Sequence, residues 1–238
     1  MPTLNLLYKH DYRINDRIDI VIPTVGEIID REEEYYGLVS AFTAMPIDMM
    51  VLLDDAGIDF TTITDYDLFM MLFPQIKGSD TSLLFHDVDL SKCRAAMNPA
   101  NETIVIIDEN NQVIIDRAIH DKIAMFLRKI HFLEKNLRKP GNKEAQDYML
   151  KQARKKAKRR KTRVEESQLE RLIIAMVNTE QYKYGYEETR DLTIYQFNES
   201  VRQIIHKVDY DNRMHGIYAG TIDPKSISQD NLNWLTHK

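Results

Sequence analysis

The chain has 238 residues, of which 43% are hydrophobic and 29% charged, and its formal net charge is -5. That length suits one large domain or two small ones, and the apolar share is enough for a buried core. A net negative charge excludes a chain that holds polyanions over its whole surface. A single cysteine, Cys93, excludes an intrachain disulfide and a thiolate metal cluster. No window reaches the roughly 18 apolar residues of a membrane span. The opening Met1-Pro2-Thr3-Leu4-Asn5-Leu6-Leu7 meets Lys9, Asp11 and Arg13 too soon for a signal peptide. The expectation is a soluble chain that stays in the cytoplasm.

In chain order, the β-branched run 18–23 predicts a short strand ended by Pro23, and 25–30 a turn into a helix. Tyr35, Leu38, Val39 and Phe42 recur at helical spacing over 32–44, and Pro46 stops that helix. Short helices follow over 47–55, with Ala56-Gly57 as C-cap, and over 64–73, opened by Thr64 with Asp67 in the capping-box position and closed by Pro74. Residues 82–85 predict a strand. Two β-branched runs, 103–107 and 113–115, flank Asp108-Glu109-Asn110-Asn111-Gln112 and predict an antiparallel hairpin over 103–116. From Ala118 an apolar stripe through Ile119, Ile123, Phe126, Leu127, Ile130, Leu133 and Leu137 predicts one helix. Pro140-Gly141-Asn142 breaks it, and Asn142 caps a helix over 143–163. Ser167-Gln168-Leu169-Glu170 opens another helix, and Thr193 a last one with Ile194, Phe197, Val201, Ile204, Ile205 and Val208 on one side. Leu232-Asn233-Trp234-Leu235 should dock on the body, since solvating it forfeits burial worth several kcal/mol.

The fold class is therefore α+β, predominantly helical with a small antiparallel hairpin region. The weakest joint, Pro140-Gly141, divides an α+β region 1–139 from a helical region 140–238.

The outstanding local feature is the cationic run formed by Lys151, Arg154, Lys155, Lys156, Lys158, Arg159, Arg160, Lys161 and Arg163. Its charge is about +9. Three readings stay open: a solvated helix packed near acidic parts of the same chain such as 30–34, a phosphate-backbone contact, and a surface for an acidic protein. No aromatic interleaves the run, so base stacking is not expected. Eleven methionines invite a second candidate, an apolar grip through Met49, Met50, Phe69 and Met70 in the N-terminal helices, against ordinary core. Cys93 stands between Lys92 and Arg94, which could depress its pKa, yet no histidine or carboxylate supports it in a catalytic pattern. Asp87 and Asp89 share a strand face without a second ligand cluster. The seven histidines form no H-x-x-x-H, and the common nucleophile and phosphate-binding motifs are missing. The expectation is no catalytic residue, no metal and no cofactor.

A resemblance adds to this. Ile20-Val21-Ile22-Pro23-Thr24-Val25-Gly26-Glu27-Ile28, Tyr35-Tyr36-Gly37-Leu38-Val39 and Asp65-Tyr66-Asp67-Leu68-Phe69 resemble the N-terminal half of a family of phage and prophage proteins of Gram-positive hosts. Tyr182-Lys183-Tyr184, Ile194-Tyr195-Gln196-Phe197, Ser200-Val201, Tyr210-Asp211, Gly216-Ile217-Tyr218-Ala219-Gly220 and Leu232-Asn233-Trp234-Leu235 resemble its C-terminal half more closely. The resemblance implies a tail assembly chaperone or related morphogenesis factor, which coats the apolar, helical tape measure protein. It carries over no functional residue and implies a phage tail protein as partner. Nucleic acid held by the cationic run is the alternative, and a place in the virion stays open.

Overall fold

The computed structural model describes residues 5–98, 102–160, 167–228 and 232–235, the Arg160 side chain excepted. β1 (Asp11–Asn15) pairs antiparallel with β2 (Ile18–Val21), turning Ile14, Ile18 and Ile20 inward. α1 (Val25–Ile29) starts at a complete capping box between Thr24 and Glu27. α2 (Glu32–Thr43) buries Tyr35, Leu38, Val39 and Phe42, the face expected from their spacing. α3 (Met50–Asp55) is short. α4 (Asp65–Ile76) opens with the Thr64–Asp67 box but runs through Pro74, where the sequence predicts a stop. Proline at that point forfeits only a bond to the Met70 carbonyl. Pro74 is exposed, so water can serve that oxygen, and Lys77 N–H still closes the helix on Phe73 O at 2.9 Å.

β3 (Arg94–Asn98), β4 (Thr103–Asp108) and β5 (Val113–Ile115) form an antiparallel sheet in that order. The 103–116 hairpin is there. Its turn is organised by buried Asp108, which accepts from Asn110 N–H at 3.0 Å and from the Asn111 side-chain amide at 2.7 Å. The strand expected over 82–85 is a turn instead. Leu84 and Phe85 both donate to the Thr81 carbonyl, at 2.9 and 2.8 Å, which curls the backbone and leaves a single bridge from Phe85 to Ile20.

α5 (Arg117–His131) is the central helix, touching α2, α4, β1 and β5, and it buries His120, Ile123, Phe126, Leu127 and Ile130. It ends six residues before the predicted end at 137. Phe132 takes a left-handed φ of +52°, accepting strain that glycine usually avoids at such a cap. The chain then runs without helix or strand to α6, and Leu133 and Leu137 are 44% and 72% exposed rather than part of the stripe.

α6 (Lys143–Arg160), α7 (Gln168–Val177), α8 (Tyr186–Asp191) and the long α9 (Ile194–Tyr218) complete the helices described. The joint at Pro140-Gly141 falls in the irregular stretch before α6. Residues from both sides of it, Phe42 and Phe197 among them, enter one buried cluster. The two sides also meet where α1 packs on α8. Val25 N–H donates to Leu192 O and Ile194 N–H to Pro23 O, both at 2.8 Å. Gly26 faces Arg190 there, and a Cβ at Gly26 would come within 3.2 Å of the Arg190 carbonyl. Past α9 the tail folds back. Gln203 donates to the Trp234 carbonyl at 3.2 Å, and the Lys207 ammonium lies 5.6 Å from the indole centroid. Trp234 docks as expected, while Leu235 stays 67% exposed.

Candidate functional site

The cationic helix has two distinct sides, and its sequence explains why. The Asn142 side chain accepts from Ala145 N–H at 2.8 Å, fixing the start of α6. Gln146, Leu150 and Arg154 then fall at i, i+4 and i+8, one stripe of the helix. The stripe faces the body. Gln146 donates to Asp59 at 2.9 Å, Leu150 is buried, and the Arg154 guanidinium reaches both Asp54 and Asp55 at 2.6 Å. These two carboxylates end α3, so α6 is pinned along that helix. Their hydrogen bonds hold the Arg154 pKa above its ordinary value.

The other side faces solvent. Lys151, Lys155, Lys156 and Lys158 are exposed and, among the described residues, have no ion-pair partner. Arg159 is exposed as well. The Arg160 side chain, Lys161 and Arg163 lie outside the described residues. Lys151, Lys155 and Lys158 line a groove of about 600 Å³ beside Arg154, with Asp54 and Asp147 on its walls. Two of the acids at 30–34 are engaged elsewhere: Glu34 pairs with Arg31 at 2.6 Å and Asp30 with Arg190 at 3.0 Å. Asp54 and Asp55 serve instead, about a hundred residues upstream of Arg154, a separation that leaves no local signal in the sequence.

The apolar candidates separate. Phe69 is wholly buried, 4.7 Å from the Phe42 ring and 4.5 Å from the His120 ring, so it presents no surface to a partner. Met49, Met50 and Met70 are half-buried against the same core, and Met71 is exposed.

The titratable groups of the interior are packing groups in this geometry. Cys93 is buried, and burial pushes its thiol up to about 11. The depression expected from its neighbours does not occur, because Lys92 pairs with Asp89 and Arg94 with Glu109. His120 lies among Phe42, Tyr66 and Phe69 with neither ring nitrogen in hydrogen-bond geometry, and burial holds its pKa down to about 4. His131 meets the buried Tyr35 hydroxyl at 2.9 Å and is held down to about 4 by the same cause. Asp89 caps the short turn after it by accepting from Ser91 N–H at 3.0 Å. Asp209 and Asp211 pair within α9 with Arg213 and Lys207 respectively. Among the described residues no group of three His, Cys, Asp or Glu is placed to hold a metal, and no helix is long and apolar enough to cross a membrane.

Sequence reasoning missed one further feature, a cleft under the stretch 132–142 that links α5 to α6. It is walled by the loop before α4 and by the start of α5. The truncated α5 creates it, and the apolar stripe gives no warning of that early end.

Comparison with known proteins finds one family match. Residues 156–238 are similar to the family described as YomV second domain, YomV being a Bacillus phage and prophage protein. The matched part comprises the end of α6, α7 to α9 and the tail, and it suggests a phage origin for the chain. No curated protein and no solved structure matches.

Proposed function

We propose that this phage-related chain is a non-enzymatic morphogenesis protein, a tail assembly chaperone, that holds the tape measure or another tail protein through the free side of α6. The observation that carries the reading is the state of Arg154. α6 already takes a carboxylate pair from its own chain, and four lysines beside that contact have no ion-pair partner among the described residues. Carboxylates of a partner can meet these lysines without any rearrangement of the fold. Charge-assisted contacts of this kind favour register and fast encounter more than raw affinity, which suits a partner that must later be released. The family match supports the phage setting, and the sequence resemblance supports the tail-gene assignment.

The test is a tagged capture from a phage-producing lysate treated with nuclease and read by mass spectrometry. Recovery of the tape measure or another tail protein is the expected result. Recovery of nucleic acid alone in an untreated control, with no tail protein, would overturn the chaperone reading and make phosphate the ligand of α6.

A further inference from the structure

The cleft beneath the stretch 132–142 is separate from the free side of α6 and has its own chemistry. Its volume is about 490 Å³, within the range of sites that enclose a ligand group. The floor is apolar, formed by Met45, Ile47, Phe60 and the Tyr66 ring, with half-buried Ile63 beside them. The roof is pinned: Lys135 pairs with Asp65 at 2.7 Å, and Asn136 donates to Asp48 at 2.8 Å. The cleft is therefore held open by fixed contacts on both sides.

Two features say what would fill it. The first is charge. Lys135 is spent on Asp65, but Arg138 and Lys139 line the rim with no carboxylate partner among the described residues, and Arg117 adds a third cation. Asp121 stands against them, and Asp67 shares the field of Arg117. The rim therefore keeps an excess of positive charge. The second is backbone. Along 134–139 the chain is in neither helix nor strand, and among the described residues Arg138 alone has a hydrogen bond to its N–H, a long 3.4 Å contact to the Asn136 side chain. Backbone with open N–H groups can pair with a chain laid along it.

We propose that this cleft receives an extended acidic segment of a partner protein, with one large apolar side chain filling the floor and carboxylates meeting Arg138 and Lys139. The inference does not rest on α6 as the partner-binding face. A fluorescein-labelled peptide with one phenylalanine set among glutamates is the probe, and the same peptide with serine in place of phenylalanine is the control. Fluorescence anisotropy is read with the full chain. The phenylalanine peptide should bind at least about tenfold more tightly than the serine peptide, as burial of one large apolar side chain implies. Arg138→Glu with Lys139→Glu should abolish that binding. Both side chains are exposed, so the thermal melt should match that of the unaltered chain, and Ile63→Ser provides a second variant that acts on the floor alone. Charge reversal of Lys151, Lys155 and Lys158 should leave the peptide affinity unchanged. Equal affinity for the two peptides, no binding of either, or binding lost only on reversal of the α6 lysines would overturn the cleft. The last of these results would leave the proposed function standing.

Discussion

The Arg154 guanidinium lies 2.6 Å from Asp54 and 2.6 Å from Asp55, at the seam between α6 and α3. This contact decides how α6 is presented. Leu150 supplies the buried anchor, and Arg154 holds the helix one turn further on. The pair is exposed, and exposed ion pairs contribute little to global stability because water and salt screen them. Asp54→Asn with Asp55→Asn should therefore leave the urea midpoint unmoved while amide hydrogen exchange in the second half of α6 speeds up. Unchanged exchange there would show that Leu150 alone holds the helix.

Buried His120 and half-buried His131 set an acid limb. His120 and His131 are both held near 4, against an ordinary value of 6.5, by burial. Between these values the unfolded chain takes up a proton at each site and the folded chain does not. Stability is thus complete above about pH 6.5 and falls as pH drops towards 4, by up to about 3 kcal/mol for each histidine. Urea melts between pH 7 and pH 4 should show this fall. His120→Leu should flatten part of it at no cost at pH 7, since the leucine replaces a ring whose nitrogens make no hydrogen bond. A midpoint for this variant that falls with pH as steeply as the original would contradict the assignment.

The Tyr35 hydroxyl and the His131 ring nitrogen form a neutral hydrogen-bonded pair at 2.9 Å. Tyr35→Phe removes the hydroxyl and leaves that nitrogen without its partner. The expected cost at pH 7 is about 1–3 kcal/mol in a urea melt, and a neutral outcome would mean that water reaches His131.

The core can be tested where the small sheet meets the central helix. Phe126 is buried and stacks on Tyr12 at 4.4 Å with 8° between the rings. Phe126→Ala should cost about 3–5 kcal/mol by lost burial and the cavity left behind, measured by the same melts.

Much of this fold is legible in the sequence, and the exceptions share a cause. α2, the β4–β5 hairpin and the first part of α5 follow from apolar spacing, because each turns one continuous face to the core. β1 and β3 leave no such trace. Within β1 only Ile14 is buried, and β3 is Arg94-Ala95-Ala96-Met97-Asn98, an edge strand with no residue fully inside. α5 ends at Phe132 in a left-handed conformation, where no glycine marks the cap. The candidate site divides the same way. The charge of α6 is visible in the composition, but its division into a docked and a free side depends on Asp54 and Asp55, and distant pairing of that kind is fixed only by the packed chain.

The measurement that bears most directly on the central claim is a side-by-side capture from nuclease-treated phage lysate, with the unaltered chain and with Lys151→Glu, Lys155→Glu and Lys158→Glu combined. The account predicts that the unaltered chain recovers a tail protein and that the reversed chain, with an unchanged melt, loses it. Equal recovery by both would contradict the account and take α6 out of partner binding.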